Sequence, residues 1–363
     1  MDNFAVCSGK YRLSLLLHMK FHIYTKCMHS LRSFFRIGFL YTAAPLKLTV
    51  VFFMISFLLF SGCQSKTKES GTGTNLQGTV TISGAFALYP LAVRWAEAFQ
   101  KEYPGVRIDI SAGGAGKGMM DVLSGMIDLG MVSRGLSPEE MKNGAYPIKV
   151  ARDAVLITIN AKNPHFAELQ TKGIDKSTLK ELFLTDKAHT WGQALHSNAT
   201  QAMHVFTRSD ACGAAEVMGK YLGTTQESLA GVGVFGDPGM ADAIRNDVLA
   251  IGFNNVTYIY DMSTRKKYPG LEVLPLDIDG NNVIDSVEQF YGDLDQFASA
   301  VKAGKYPSPP ARDLYLVAKG KPTSEAVKAF LNWVLTKGRG MIQESGYVDL
   351  SPEQLSQEIQ KVK

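Results

Sequence analysis

The predicted strands and helices of this chain are arranged around the sequence Thr207-Arg208-Ser209-Asp210-Ala211-Cys212-Gly213-Ala214-Ala215-Glu216. An apolar run at 203–206 precedes it, and apolar residues at helical spacing follow it as far as Leu222. This order predicts a strand, a turn of small residues that carries Arg208, and a helix that ends near Gly223. The first N–H groups of a helix have no partner within the helix and lie at its positive dipole end. The turn is therefore predicted to bind a small anion, to which Arg208 adds a two-pronged contact.

Strands and helices alternate on both sides of this turn. Helical spacing of apolar residues predicts helices at 91–103, 119–124, 179–183 and 324–335. Alternating or continuous apolar runs predict strands at 79–83, 106–110, 127–132, 154–160, 251–253 and 314–318. The residues Thr190-Trp191-Gly192 are interpreted as a turn. Alternation of this kind predicts an α/β fold in which helices cover a largely parallel sheet.

Other loops occupy positions equivalent to that of the Arg208 turn. Residues 84–90 and the glycine-rich 111–118 each lie between a predicted strand and a predicted helix, and Ser133-Arg134 follows a strand. Ligands in open α/β sheets collect beyond the carboxyl ends of the strands. We therefore expect these loops to line one crevice together with Arg208. The alternative for each loop is a structural turn, and for both arginines it is pairing with neighbouring carboxylates such as Asp210.

The first 63 residues are interpreted as a secretion leader. Residues 46–60 are nearly all apolar and end in Phe60-Ser61-Gly62-Cys63, which resembles the processing site of bacterial lipoproteins. Cys63 is then the predicted lipidation site, and the polar residues 64–76 are a predicted flexible tether. The alternative is a single transmembrane anchor, because the apolar run is close to the length that spans a bilayer.

Charge and cysteine content exclude several classes of protein. The leader carries seven lysines and arginines against Asp2, so the net charge of +4 becomes about −2 for the remainder, and nucleic acid is excluded as a partner. Cys212 is the only cysteine after Cys63, which excludes a disulfide framework in the secreted part. A thiolate at a helix start would suit a cysteine enzyme, but no base is placed beside Cys212 in the sequence. We predict that the protein is not an enzyme.

Residues 277–288 carry a separate signal. Oxygen-bearing side chains occupy positions one, three, five, nine and twelve of this stretch, and the residue at position seven offers a backbone carbonyl. These residues are Asp277, Asp279, Asn281, Asp285 and Glu288, with Val283 at position seven. The spacing is that of the EF-hand calcium loop, with Asn282 where glycine usually makes the sharp turn. Asparagine tolerates the left-handed conformation better than most residues. We predict a structural calcium site and no other cofactor; the alternative is a solvated acidic loop.

Taken together, these motifs resemble the phosphate-binding substrate-binding proteins of ABC importers, which have the type II periplasmic binding protein fold. The resemblance covers nearly all of 78–350 and is carried by 128–134, 208–214, 250–253 and 306–317. It implies an α/β fold of two lobes, each a mixed, mostly parallel sheet flanked by helices, with strands crossing between them. The first lobe would comprise 77–152 and 306–363, and the second would comprise 153–305.

The same resemblance implies which residues bind the ligand. They are Ala87, Leu88 and Tyr89 in the first loop, Ala115 or Gly116 in the glycine loop, Ser133 and Arg134 after the third strand, and Arg208, Asp210, Cys212, Gly213 and Ala214 in the central turn. The family's Arg-Ser-Asp-Gly-Ser-Gly-Thr motif matches residue by residue from Arg208. The second serine and the threonine of that motif are replaced here by Cys212 and Ala214.

The resemblance also implies a function. We expect an extracytoplasmic, monomeric solute-binding protein, lipid-anchored to a bacterial membrane, that delivers phosphate or another small oxyanion to ABC permease subunits. Two alternatives stand beside this expectation. One is a cell-surface signalling or adhesion module that keeps the fold without phosphate transfer, and the other is a binder of a different small anion.

Overall fold

The computed structural model describes residues 76–363. The predicted leader 1–63, with the lipidation candidate Cys63, lies outside the described residues, and so does the predicted tether 64–76 apart from Leu76. Among the helices of the described part, none is both long and apolar enough to cross a bilayer.

Twelve strands and twelve helices alternate along the described residues. The strands are β1 (Gly78–Gly84), β2 (Val106–Ala112), β3 (Leu129–Val132), β4 (Ala145–Asn160), β5 (Ile174–Asp175), β6 (His189–Thr190), β7 (Ala202–Arg208), β8 (Val232–Val234), β9 (Ala250–Asn255), β10 (Leu271–Val273), β11 (Leu276–Asp277) and β12 (Ala311–Lys319). The helices are α1 (Tyr89–Glu102), α2 (Ala115–Ser124), α3 (Pro138–Lys142), α4 (Phe166–Lys172), α5 (Lys176–Leu184), α6 (Trp191–Leu195), α7 (Gly213–Leu222), α8 (Gly236–Asn246), α9 (Leu294–Lys302), α10 (Glu325–Leu335), α11 (Gly340–Glu344) and α12 (Pro352–Val362).

Ten of the strands form a mixed sheet in the order β2-β1-β3-β12-β4-β9-β7-β6, with β10 beside β4 and β8 beside β7, and β5 and β11 form a separate two-stranded sheet. Parallel pairing joins β1 to β2 and β3 at one end, and joins β7 to β8 and β9 at the other. The long strands β4 and β12 lie between these two parallel groups and pair antiparallel with each other. The carboxyl ends of β1, β2, β3 and β7 carry the loops that the sequence singles out.

Two hydrophobic cores share the β4–β12 pair, each containing one part of both strands. The first core contains buried residues from 80 to 151 and from 314 to 362, and the second contains those from 154 to 311 with Val348. The change from one core to the other falls between Ala151 and Ala154 on β4 and between Ala311 and Leu314 on β12. The chain therefore passes between the cores along two adjacent strands.

A buried ion pair holds these crossing strands together. Arg312 Nε donates to Asp153 Oδ1 at 2.8 Å, and Arg312 Nη2 donates to Asp153 Oδ2 at 3.1 Å and to Asn255. Burial raises the pKa of Asp153, against the opposing effect of the Arg312 charge. Charges this deeply buried are tolerated when they are paired.

The structure differs from the sequence predictions at element boundaries and in whole elements that were not predicted. Strand β4 begins at Ala145, whereas the sequence predicts a strand only from 154, because Pro147 lacks an N–H and argues against a strand. The predicted turn at 190–192 is wrong: Thr190 and Gln193 form a capping box that starts α6. Helices α3, α4, α8, α9, α11 and α12 were not predicted from the apolar spacing, and neither were the short strands β5, β6, β8, β10 and β11.

Candidate ligand-binding crevice

Four loops meet where the two cores face each other. The turn after β1, the glycine loop after β2 and Ser133-Arg134 after β3 come from the first core, and 209–213 after β7 comes from the second. All four follow the carboxyl end of a strand, as binding loops in α/β sheets do. The predicted crevice is therefore a real meeting point of distant segments.

The glycine loop contacts the turn after β7 through its backbone. Gly116 N donates to Ala211 O at 3.0 Å, which links a loop of the first core to a loop of the second. Gly113 N and Gly114 N both donate to Gly84 O, at 2.9 and 3.0 Å. Gly114 has a φ of +92°, and a Cβ there would lie 3.0 Å from Ala211 O. The close approach and the left-handed conformation together require glycine at 114.

Ser133 lies against the start of α7. A Cβ added to Gly213 would lie 2.3 Å from both the backbone oxygen and the Oγ of Ser133, so only a glycine fits this contact. Ser133 itself is 2% exposed. Gly213 thus allows the Ser133 hydroxyl of the first core to lie close to the start of α7 in the second core.

Arg208 lies at the end of β7 with its guanidinium completely buried. Nε and Nη2 donate to the two oxygens of Asp210 at 2.8 Å each, and Nη1 donates to Asp237 Oδ2 at 2.8 Å. Burial lowers the pKa of Arg208, but Asp237, Cys212 and Asp210 outweigh burial and leave the pKa above its ordinary value. Arg208 is a permanent cation with two carboxylate partners.

The two carboxylates are themselves anchored by backbone donors. Asp210 Oδ1 accepts from Gly236 N at 3.1 Å, and Asp237 Oδ1 accepts from Asn255 N at 3.1 Å. The sequence predicts Asp210 as a partner of Arg208 but gives no signal for Asp237. The missed residue lies on α8, a helix that the apolar spacing did not predict.

The loop after β1 faces Arg208 through a residue that was not predicted. The ring centroid of Phe86 lies 5.9 Å from Arg208 Cζ, which is a cation–π distance. The residues predicted to bind the ligand in this loop make hydrogen bonds within the protein. Ala87 O accepts from Tyr347 Oη at 2.7 Å, and Leu88 N and Tyr89 N both donate to Ala85 O at 3.2 Å.

Arg134 bridges from the first core to α7. Its guanidinium binds Glu140 Oε1 at 2.6 Å and Glu216 Oε2 at 2.9 Å. The hydrogen bond to Glu140 is the main reason that the pKa of Arg134 lies above its ordinary value. Glu140 is in turn fixed by a capping box with Ser137 at the start of α3. Arg134 and Arg208 therefore both pair with carboxylates, as the alternative to anion binding predicts.

Cys212 is the N-cap residue of α7. Its Sγ accepts a hydrogen bond from Ala215 N at 3.4 Å, and the residue is 5% exposed. Burial raises the pKa of the Cys212 thiol to about 12, although Arg208 lies close by. The side chain is a neutral thiol at physiological pH. It serves as a weak helix cap and lacks the thiolate that a nucleophile needs.

A cavity of about 320 Å³ opens beside these contacts. Its lining includes Gly116 and Arg134 from the first core, and Cys212, Lys220 and Gln226 from the second. The volume lies at the lower end of the range for small-molecule sites. Three residues that the resemblance implies as ligand-binding, Gly116, Arg134 and Cys212, therefore share one small cavity.

The sequence of the chain matches a known protein family. Residues 69–337 match the family described as the PBP superfamily domain. The chain belongs to that superfamily. It is 25% identical over 315 residues to the phosphate-binding protein PstS of Bacillus subtilis, which covers 84% of this chain and 94% of that protein. It is 32% identical over 132 residues to phosphate-binding protein PstS 2 of Streptococcus pneumoniae, which covers 36% of this chain and 42% of that protein.

Solved structures confirm the PBP superfamily fold. A substrate-binding protein from Clostridium perfringens, solved with bound phosphate, superposes with a TM-score of 0.61 at 20% identity, over 76% of this chain and 100% of that chain. An ABC-type phosphate transport receptor from Vibrio cholerae gives a TM-score of 0.54 at 18% identity, over 75% and 100%. At these identities the likeness shows the fold, so the predicted fold class is confirmed.

Within this PBP superfamily fold, the structure brings together Gly116, Ser133, Arg208 and Gly213, and places Arg134 and Cys212 at the neighbouring cavity. Ala214 lies buried in the first turn of α7. The roles of all these residues in ligand binding remain predictions. Phe86 and Asp237 are additions that sequence reasoning missed, because their contacts with Arg208 depend on the meeting of loops far apart in the chain.

The predicted calcium loop lies elsewhere, between β11 and α9. Carboxylate oxygens of Asp277, Asp279 and Glu288 lie within 4.8 Å of one another. The remaining predicted ligands, Asn281, Val283 and Asp285, lie between them in the same loop, and the group of carboxylates that the structure brings together does not include Asp285.

Proposed function

We propose that this protein is the extracytoplasmic solute-binding protein of an ABC importer, and that it binds phosphate or a related oxyanion in the crevice between the two cores. The observation that carries the proposal is the convergence of the Arg208 turn and the α7 start with the Gly116 and Ser133 loops of the opposite core. Membership of the PBP superfamily and the phosphate-binding names of the relatives support it.

The crevice offers an anion mainly backbone and hydroxyl donors. Two carboxylates already neutralise Arg208, so its charge alone gives little net attraction. A desolvated oxyanion needs nearly every oxygen hydrogen-bonded, because unpaired polar atoms are costly to bury. The proposed donors are the N–H of Gly116, the hydroxyl of Ser133 and the N–H groups at the start of α7. Binding would replace the Gly116–Ala211 hydrogen bond with a bond to the ligand.

We propose that the two cores correspond to two lobes, 77–152 with 306–363 and 153–305, which open and close about the crossing strands. Closure around a ligand supplies contacts from both sides and presents a changed surface to a permease. In this proposal the protein is a monomer, and lipid at Cys63 holds it at a bacterial membrane. The neutral thiol of Cys212 supports a binding protein rather than a cysteine enzyme.

Calorimetric titration of the purified protein tests this function. The panel comprises phosphate, sulfate, molybdate and small carboxylates, each at the same pH and ionic strength. The expected result is saturable binding of one oxyanion per chain, with phosphate bound most tightly. If every member of the panel gave no heat of binding and no change in melting temperature, the importer function would be wrong. Such a result would favour a signalling or adhesion module.

A further inference from the structure

The loop between β11 and α9 lies apart from the crevice and is used by no step of the proposed transport function. We propose that residues 277–288 bind one calcium ion, which fastens this part of the second core. The proposal rests on the positions of the side-chain oxygens, on an unpartnered buried carboxylate oxygen, and on the contacts that the loop makes with its neighbours.

The spacing of the oxygens suits calcium. Carboxylate oxygens of Asp277, Asp279 and Glu288 lie within 4.8 Å of one another, although the residues are up to eleven positions apart in sequence. Calcium holds oxygen ligands at about 2.3–2.6 Å, so ligands on opposite sides of the ion lie roughly 5 Å apart. The three carboxylates are therefore already arranged within the span of a single coordination sphere.

Glu288 gives independent support for a bound cation. It is 3% exposed, and its Oε1 accepts from Ile278 N at 2.7 Å. Its Oε2 is buried and finds no hydrogen-bond partner among residues 76–363. A buried carboxylate oxygen without a partner is costly, and such groups in folded proteins call for an explanation. A cation shared with Asp277 and Asp279 satisfies that oxygen and balances three neighbouring negative charges.

The backbone has the turn that a calcium loop requires. Asn282, at position six, has a φ of +66° in the left-handed region where EF-hand loops place glycine. The N–H groups of Gly280 and Asn282 donate to the two oxygens of Asp277, at 2.8 and 2.7 Å. These bonds orient the carboxylate at position one and leave lone pairs for a metal. The substitution of asparagine for glycine therefore preserves the loop conformation.

The loop is also joined to the second core at its middle. Ile284, at position eight, is 6% exposed. Its N–H donates to the carbonyl oxygen of Thr171, a residue of α4, at 2.7 Å. At the start of the loop, β11 pairs in parallel with β5, which follows α4. An ion at this position ties α4 and β5 to the segment that leads into α9. Its expected effect is on the stability of the second core.

Calcium fits the donor set better than magnesium does. The ligands that the spacing predicts are all oxygens: the carboxylates of Asp277, Asp279, Asp285 and Glu288, the amide oxygen of Asn281, and the carbonyl of Val283. Of the four carboxylates, the structure brings together those of Asp277, Asp279 and Glu288. Calcium accepts six to eight oxygens in a flexible geometry, whereas magnesium demands a near-ideal octahedron and retains water. We therefore expect selectivity for calcium over magnesium.

The test uses the purified protein after treatment with a chelator and removal of the chelator. Thermal melting and calorimetry are followed while calcium chloride or magnesium chloride is added. We expect one calcium ion per chain and a higher melting temperature with calcium than with an equal concentration of magnesium. Glu288→Gln should weaken calcium binding at least about tenfold, because it removes a charged ligand at position twelve. Glu97→Gln, an exposed glutamate on α1, is the matched control and should bind calcium as the wild type does.

Stability without metal separates a metal-ligand role from a purely structural one. The Glu288→Gln protein should melt no lower than the wild type in chelator, because the substitution removes an unpartnered buried charge. Asp279→Asn provides a second variant at an exposed position, where misfolding is not expected, and should also weaken calcium binding. The proposal is overturned if the wild type melts identically in chelator and in calcium, or if both variants keep the full calcium response.

Discussion

Gly213 determines how closely the two sides of the crevice approach each other. Gly213→Ala would place a Cβ 2.3 Å from Ser133 O and Oγ, so the two loops must separate. We expect a loss of about 1–3 kcal/mol in the free energy of unfolding, as for overpacking at other tight contacts. Phosphate binding should weaken at least about tenfold, because a 1.4 kcal/mol loss corresponds to that factor. Urea unfolding and calorimetry measure the two effects.

Gly340→Ala is the matched control for this substitution. Gly340 is exposed and has no neighbour within 4 Å of an added Cβ, so alanine there should be neutral for binding. If Gly213→Ala bound phosphate and unfolded as Gly340→Ala does, the close contact between Ser133 and α7 would have no role in the site.

Cys212 is a weaker cap than the serine that stands in the family motif. Cys212→Ser should strengthen the cap of α7, because a hydroxyl accepts from the N–H of Ala215 better than sulfur does. It should also tighten phosphate binding about tenfold or more, since hydrogen bonds to charged groups contribute about 1.5–3 kcal/mol. Calorimetry measures the affinity, and thermal melting measures the cap.

Cys212→Ala serves as the comparison, because alanine has neither the sulfur of the wild type nor the hydroxyl of the serine variant. The alanine protein should be less stable than the serine protein by roughly 1 kcal/mol, the usual difference between these residues at a helix N-cap. Equal phosphate affinity in the serine and alanine proteins would show that residue 212 does not contact the ligand.

The contacts of Arg208 also show which parts of the site can be predicted from the sequence. Arg208 and Asp210 were recognised because they stand two positions apart in a motif. Asp237 completes the same ion-pair cluster from 29 positions away, and Phe86 reaches Arg208 from a different core. Neither contact leaves a local pattern in the sequence, since each depends on which loops meet in space.

The start of helix α5 gives a pH-dependent prediction. Asp175 Oδ1 accepts from Ser177 N at 2.7 Å and from Thr178 N at 3.1 Å. Burial raises the pKa of Asp175, but these bonds and those from the Ser177 and Thr178 hydroxyls outweigh it and depress the pKa well below 3.8. Asp175→Ala should therefore cost about 1 kcal/mol at neutral pH, the usual loss for an N-cap residue.

The stability difference between wild type and Asp175→Ala should depend on pH in a defined direction. A carboxylate with a depressed pKa in the folded state stabilises the protein above its ordinary pKa, and this stabilisation is lost as the pH falls toward the folded-state pKa. The gap measured by urea unfolding should thus be constant near pH 7 and shrink below about pH 4. Asp175→Asn keeps a capping oxygen and should lose less. A gap that widens on acidification would contradict this account.

Elements were predicted where their apolar pattern is regular. Helix α7 and the buried half of β4 have such patterns, and the structure contains both. The first half of β4 was missed because it carries Pro147, which is accommodated in the antiparallel pairing with β12. Helix α8 was missed because its sequence includes two glycines and a proline, and tertiary contacts outweigh that weak propensity.

The molecule as a whole depends on the pair of strands that connects its cores. Arg312→Met should destabilise the protein by about 3–5 kcal/mol, because it leaves Asp153 as an unpaired buried charge. Replacing both partners, as Arg312→Met with Asp153→Leu, should recover much of that loss, since apolar pairs often substitute for buried ion pairs. Urea unfolding of both variants measures the difference. A double variant less stable than the single variant would contradict this interpretation.

Topology explains why the crevice could be located only approximately from the sequence. The alternation of strands and helices predicted binding loops at the carboxyl ends of strands. The order β2-β1-β3-β12-β4-β9-β7-β6 then decides which of those loops face each other. That order results from the return of β12 between β3 and β4, a pairing across more than 150 residues that apolar periodicity does not encode.

A crystal structure of the protein grown with phosphate would examine the proposed binding site itself. We predict electron density for one tetrahedral anion between the two cores, within hydrogen-bond distance of Gly116 N, Ser133 Oγ and the first N–H groups of α7. The Gly116–Ala211 hydrogen bond should be broken in that structure. An unchanged crevice that retains this bond, with phosphate absent from it at saturating concentration, would contradict the proposal.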